Sequence, residues 1–388
     1  MTPPRLFPTQ EIGSIARPRW QLKAQRGEPL DDAARAEWRR WNEKLRFVSE
    51  GPEEVRWLAG EGTLPADRVR DLGALFAIRY FESAGLDRVY DGEARRVEMY
   101  EHPIRRMRGF EFLGHVRSFD SKYYRKAAAT GPVELAEPYD LDEFAFVRAH
   151  TRSGVKVPVT GPYTLADWSY LDHYLAREPG WHGPAARRSA QRAFVLDLAT
   201  KAIRPTLKAL IARGAEVIQI DEPAAGTHPS EAALVAEAFN AATEGLDAEF
   251  SMHICFSDYA KLFPAILEAK RVGLFALEFA NRDAPEHDGY TLLKTLREHD
   301  DGRRVGLGVV DVHRDAIETP ELVAERIGRA ARYLGDPGRL WINPDCGLRT
   351  RSLEVAYRKL TALVDGAALA RRALEGPDAG PAEAALAA

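Results

Sequence analysis

Four side chains of the kinds that bind soft or borderline metal ions stand at the ends of apolar runs in this 388-residue chain. They are His253 and Cys255 in "SMHICFSDY", Glu278 in "VGLFALEFA" and Cys346 in "LWINPDCGLRT", and the two cysteines are the only ones in the sequence. On a strand, residues two apart point to the same face, so His253 and Cys255 share a side. An imidazole, two thiolates and a carboxylate form a donor set suited to Zn²⁺, because sulfur and nitrogen disfavour Mg²⁺ and Ca²⁺. A Zn²⁺ held by two thiolates is electron-rich and suits activation of a further thiol, whose pKa it lowers. That chemistry is alkyl transfer to sulfur rather than hydrolysis. The spacing matches no local zinc-finger pattern, so the weight rests on register at the strand ends. The competing reading makes His253 a hydrogen-bonded core histidine, Glu278 the partner of a buried arginine and the cysteines small packing residues.

Such residues need elements to bring them together. From about residue 85 onward, short β-branched runs alternate with stretches of helical periodicity, the pattern of parallel strands joined by crossover helices. The runs "LDRVYDGE", "VKVPVTGPYT", "AEVIQIDEP", "AEFSMHICF", "VGLFALEFA", "RVGLGVVDVH" and "RLWINPDC" each end in or carry polar residues, among them Glu93, Asp221, Glu222 and His313. An eighth run, "FPTQEIGSIARP", breaks at Ile12, Gly13 and Ser14. Eight strand-helix units predict a (β/α)₈ barrel whose chemistry lies at the C-terminal mouth. The segments "ALVAEAFNAAT", "LFPAILEAKR" and "PELVAERIGRAARYL" carry apolar residues at helical spacing and are expected as helices. Two long excursions are expected, residues 19–70 after the first strand and 103–148 after the second, the latter as a hairpin over the mouth. The catalytic unit is taken as residues 1–375, with a small-residue tail at 376–388 that is expected to be disordered.

Composition narrows the function. A formal net charge of -4 with interspersed signs offers no basic stripe for nucleic acid. No apolar run approaches the roughly 20 residues of a membrane span, and "MTPPRLFPTQ" lacks a signal-peptide core. These features place the chain in the cytoplasm, where a conspicuous cysteine pair is metal-binding or catalytic.

The motifs, taken in order, resemble the catalytic C-terminal domain of the cobalamin-independent methionine synthase family. "EIGSIARP" resembles its "IGSFP", "DGEARRVEMYEH" its "HGExERxDMVEYF", and "VTGPYTLADWSY" its "LTGPVTxLxWSF". "VIQIDEPA" reads the same as a family block, "HICFSDY" resembles "HMCYSxF", "VVDVH" resembles "VYDIH", and "LWINPDCGLRTR" differs from "LWVNPDCGLKTR" at two conservative places. The resemblance runs from about residue 10 to 352. It implies a zinc-dependent methyltransferase that methylates homocysteine to methionine, with His253, Cys255, Glu278 and Cys346 as zinc ligands. By the same resemblance Glu93 and Asp221 bind the ammonium of homocysteine, Ser14 and the backbone around Ile12 its carboxylate. His313 serves proton transfer to the departing methyl donor, and Trp168 packs against the donor's flat ring.

Departures cluster on the donor side. Two-domain family members carry an N-terminal barrel whose basic residues help hold the polyglutamate tail of folate, and this sequence has no counterpart. Lys122 stands where the family has an arginine and is, with Arg125, a candidate donor contact; "YYRKA" replaces "CVKPP" around Tyr124, "EFANRD" replaces "ENSRSD", and "AAGTHPS" replaces "ALREGLP". The methyl donor is therefore expected to be a methylfolate or a methylcorrinoid carried on a partner protein, with the corrinoid or another non-polyglutamate donor favoured. The rival readings are a decarboxylase of the uroporphyrinogen type, which shares the barrel without a thiolate zinc site, and a noncatalytic zinc-binding or thiol-sensing protein.

Overall fold

The computed structural model describes residues 5–117, 123–179, 183–284, 287–299 and 302–375. Six parallel strands form one continuous sheet: Val157–Thr160, Val217–Asp221, Glu249–Ile254, Val272–Leu277, Arg304–Gly308 and Leu340–Asn343. The circle is completed by short pairings at its two edges. Gly154–Val155, which leads into Val157–Thr160, pairs in parallel with Arg88–Val89. Gln10 bridges Arg88, and Thr9 bridges Ile342 of the last strand. Eight chain crossings thus close a parallel barrel, as the alternating pattern predicts. The first crossing is so brief because Pro8 lacks an N–H; its carbonyl accepts from Ile342 N at 2.8 Å, while Gln10 N donates to the Ile342 carbonyl at 2.9 Å.

Crossover helices cover the outside: Ala66–Ala84, Leu141–His150, Pro184–Asp197 continuing to Ala212, Ala232–Thr243, Leu292–Glu298, Pro320–Leu334 and Leu353–Glu375. The helix expected over "LFPAILEAKR" is a correction. Only one turn at Tyr259–Leu262 and a 3₁₀ turn at Ala265–Glu268 form, because Pro264 can neither donate to nor sit inside a helix.

The 19–70 excursion begins with three helices, Arg19–Gln25, Asp32–Leu45 and Pro52–Leu58, and runs into the start of Ala66–Ala84. Its charged surface hides an aromatic cluster that ties it to the barrel: Trp20 meets Trp38 edge-on at 4.9 Å, and Trp38 meets Trp57 at 5.4 Å. Trp20 also packs against Phe76 of the Ala66–Ala84 helix at 6.2 Å. The second excursion is the expected hairpin, Met107–Arg117 antiparallel to Tyr123–Leu135. Lys122 and the tail 376–388 lie outside the described residues.

Candidate metal centre and substrate cavity

The barrel mouth opens into a cavity. Ile12, Ser14, Glu93, Trp168, Asp221, His253, Cys255, His313 and Cys346 all line it, so nine of the residues singled out in the sequence meet in one place. They arrive there from the ends of seven of the eight crossings. His253 belongs to Glu249–Ile254, opposite Asp221 in register. Cys255 lies one residue beyond that strand, so its approach to His253 is set by the turn and not by strand alternation alone. Glu278 follows Val272–Leu277 directly, and Cys346 lies three residues past Asn343.

One imidazole nitrogen and the two sulfurs come within 4.8 Å of one another. His253 Nδ1 is 3.0 Å from the Ala276 carbonyl, which can only accept, so Nδ1 carries the proton. Nε2 is the nitrogen left to titrate; it is buried without a geometric hydrogen-bond partner, and the Cys346 sulfur and Asp221 raise the His253 pKa to about 9 against burial. The Cys255 thiol is raised well above its ordinary pKa by the neighbouring Cys346 sulfur and by burial. Cys346 is held well below its own by the Cys255 thiol and by His253, against burial. A cation that displaces the Nε2 proton would meet an imidazole nitrogen beside a low-pKa sulfur, a donor group for a soft metal.

Glu278 stands just outside this trio. It is fully buried, its Oε2 accepts from Phe256 N at 3.1 Å and Asn281 Nδ2 at 3.0 Å, and its Oε1 has no hydrogen-bond partner. That oxygen lies 3.7 Å from His313 Nε2, and the pairing raises the His313 pKa against the effect of burial. The arginine-partner alternative for Glu278 finds only a distant contact, Arg282 at 3.9 Å. The residues present fit a bound metal: an orphaned imidazole nitrogen, an orphaned carboxylate oxygen and two thiols. A second acidic cluster, His102, Asp140 and Glu143, is different in kind, because the Arg96 guanidinium occupies it at 2.7 Å from Glu143 and 3.3 Å from Asp140.

The opposite wall is polar. Glu93 and the preceding Gly92 both have left-handed backbones, φ 59° and 58°. Such strain in a non-glycine residue persists where the surroundings enforce it, and here Glu93 N donates to Asp91 Oδ1 at 2.9 Å. Gly13 leaves room for the Glu93 carboxylate, since a Cβ there would sit 3.1 Å from Oε1. Gly347 likewise admits the Ser14 turn, with a Cβ there only 3.0 to 3.2 Å from Ser14 backbone and hydroxyl atoms. Burial raises the Asp221 pKa to about 7, opposed by His253 and Lys156 and reinforced by Glu93. Glu222 does not pair with Asp221; it accepts from Tyr163 N, Thr164 N and Thr164 Oγ1 at 3.1, 2.7 and 2.7 Å. It thereby caps the short helix after the Val157–Thr160 strand.

Several lining residues had not been assigned a task from the sequence: Glu98, Phe256, Arg349, Thr350 and Tyr124. Tyr124, noted only as a departure, comes from the hairpin and stacks on Trp168 at 5.1 Å and 24°. Phe256 meets the His313 ring edge-on at 4.6 Å. The signal for Phe256 and Arg349 was adjacency to Cys255 and Cys346; Tyr124 carried none, because hairpin reach is a tertiary property.

A closed parallel barrel whose polar side chains converge at one mouth defines a (β/α)₈ protein with its site at the C-terminal ends of the strands. Comparison with known proteins gives the family. Residues 65–369 match the model of the cobalamin-independent synthase catalytic domain, and the chain belongs to that family of methyltransferases. It is 38% identical over 371 residues to the methionine synthase of Pyrococcus abyssi, covering 95% of this chain and 94% of that one. It is 40% identical over 300 residues to the methionine synthase of Thermoplasma acidophilum, covering 74% and 85%. Among solved structures it is similar to a B12-independent methionine synthase from Shewanella sp. W3-18-1 in complex with selenomethionine, with a TM-score of 0.72, 25% identity and coverage of 95% and 99%. The match in length to these relatives identifies the short form of the family. No helix among the described residues is long and apolar enough to cross a membrane.

Proposed function

We propose that this chain transfers a methyl group to the sulfur of homocysteine, giving methionine, and does so in the cytoplasm with Zn²⁺ held by His253, Cys255, Cys346 and Glu278. The observation that carries the reading is the meeting, in one cavity, of the imidazole-dithiol group with a carboxylate pair and the Ser14 turn. Methionine synthases at 38 and 40% identity support it. So does the related Shewanella structure, whose ligand bears the ammonium and carboxylate of an amino acid. When bound, zinc supplies Lewis acidity that lowers the pKa of an incoming thiol.

The protein's own groups divide the remaining work. Glu93 and Asp221 take the ammonium, which relieves the repulsion between two carboxylates in one cavity. Ser14 and the backbone at Ile12 take the carboxylate. The methyl carbon gains a bond to sulfur and loses its bond to the donor. With a pterin donor the nitrogen left behind needs a proton, which His313 delivers; its ring contact with Phe256 supports this role. Trp168 stacked on Tyr124 presents a flat face to that donor. The donor is a methylfolate or a methylcorrinoid on a partner protein, and the latter or another non-polyglutamate donor is favoured. Membership of the methyltransferase family favours this reading over the decarboxylase and the thiol sensor.

The test is direct. Purified protein is given homocysteine with a methylfolate or with methylcobalamin, and methionine and bound zinc are measured. Methionine formed by zinc-containing protein is the expected result. Protein that binds no zinc and makes no methionine with either donor overturns the proposal.

A further inference from the structure

Beneath the cavity floor, the barrel interior holds a polar cluster that the reading above leaves without a task. Lys156 is completely buried, at the break between the strand segments Gly154–Val155 and Val157–Thr160. An ammonium there has lost its water and persists only where acceptors surround it. Its Nζ donates to the Glu11 carbonyl at 2.6 Å, the Ile12 carbonyl at 3.3 Å and Gln219 Oε1 at 2.6 Å, and lies 3.5 Å from Glu11 Oε1. The bond to Gln219 Oε1 fixes the Gln219 amide in one orientation. Its oxygen faces a group that can only donate, so its nitrogen faces the other way. Gln219 Nε2 donates at 2.7 Å to the Ile12 carbonyl and at 2.7 Å to Asp221 Oδ1. Gln219 and Asp221 are two apart on Val217–Asp221 and so share its inner face.

We propose that Lys156 and Gln219 are positioning residues that lock together the two halves of an amino-acid clamp, the Ile12 to Ser14 turn and the Asp221 carboxylate. The inference rests on the homocysteine reading above. The bond to Gln219 occupies Oδ1 of Asp221 and stops the carboxylate rotating, which leaves Oδ2 to accept from an ammonium. Lys156 anchors the oxygen end of the amide; with an apolar side chain in its place, that buried oxygen would lose its donor and the amide one of the bonds that hold it against Asp221. Both residues hold the Ile12 carbonyl, so the carboxylate-binding turn and the ammonium-binding acid keep one separation. Interior layers of such barrels are usually filled by branched aliphatic side chains, which would pack the same space without the desolvation of a buried ammonium. The polar cluster is therefore explained by what it orients, in the way buried networks specify a single arrangement.

The experiment compares two thiols on the zinc-containing protein: homocysteine, and 4-mercaptobutanoate, which is homocysteine without its amino group. Affinities are measured by calorimetry for wild type, Gln219→Leu and Lys156→Met. Wild type is expected to prefer homocysteine, and Gln219→Leu to reduce that preference about tenfold or more, the effect of one charged hydrogen bond. Lys156→Met is expected to shift the preference the same way. A preference that Gln219→Leu leaves unchanged, however far both affinities fall, overturns the brace, because general damage to the core lowers both affinities alike. If Gln219→Leu does not fold, Gln219→Glu replaces it, since it keeps an acceptor for Lys156 while offering Asp221 no permanent donor, and the same ratio decides. Wild-type protein without any preference for homocysteine would instead overturn the homocysteine reading, and the brace with it.

Discussion

Cys346 is the residue on which the metal reading turns. It lies three positions past its strand, and its thiol is the one whose pKa the Cys255 thiol and His253 hold well below the ordinary value. Cys346→Ser removes a sulfur donor and keeps the size of the side chain. Wild type is expected to hold one equivalent of zinc by elemental analysis and the variant much less; equal content in both would move the site elsewhere. Asp221 offers a second handle. Replacing it with asparagine removes a charged hydrogen bond worth about 1.5 to 3 kcal/mol, or roughly ten- to a hundredfold in affinity. Its pH behaviour follows from the same burial. The carboxyl is raised to about 7, and an ammonium binds only the ionised form, so binding releases a proton below that pH and affinity falls as pH drops through 7. The loss is expected to reach about tenfold per pH unit on the acid side. Methionine is the suitable probe for calorimetry, because it carries the ammonium and carboxylate but no thiol to titrate. A flat profile between pH 5.5 and 8 would remove Asp221 from ammonium binding.

At the scale of elements, the hairpin Met107–Arg117 and Tyr123–Leu135 does what no barrel strand does: it brings an aromatic face across the mouth. Tyr124 stacks on Trp168, and Tyr100 holds that corner through Ser169 Oγ at 2.8 Å and the Ala127 N–H at 3.0 Å. An aromatic pair of this kind is worth about 0.5 to 1.5 kcal/mol beyond its buried area. Tyr124→Leu keeps the cavity wall apolar and loses the stack. Steady-state kinetics with a pterin donor should show the donor KM rising about two- to tenfold while the homocysteine KM stays put. Equal changes in both would mean that the hairpin shapes the whole cavity and not the donor face.

For the whole molecule, the question is how much of the donor one barrel can enclose. The cavity is bounded by a single set of strand ends and one hairpin, and the relatives in Pyrococcus and Thermoplasma match this chain over most of their own length. Tail contacts to exposed lysines and arginines are worth about 0 to 1 kcal/mol each and add up only where several are held together. Monoglutamate and triglutamate methylfolates are therefore expected to serve about equally and poorly, within roughly threefold of each other on this scale, with a methylcorrinoid serving better. Measured kcat/KM values that climb steeply from the monoglutamate to the triglutamate would restore folate as the physiological donor.

Strand alternation, the eightfold succession of apolar runs and the polar residue types at their ends were legible in the chain itself, because hydrophobic periodicity and strand-end chemistry are local properties. They put His253, Asp221, Glu93, Ser14 and Cys346 at one mouth. What the sequence could not contain was set by contacts between distant segments. The Ser14 turn meets the loop at Gly347, Tyr124 reaches Trp168, and Lys156 lies under the Ile12 carbonyl across 144 positions of chain. The helix expected at "LFPAILEAKR" failed for the converse reason, since its apolar spacing was right and one proline outweighed it. Sequence determined which chemistry the barrel could carry; only closure of the ring, which brings the first crossing against the last, decided which atoms face each other.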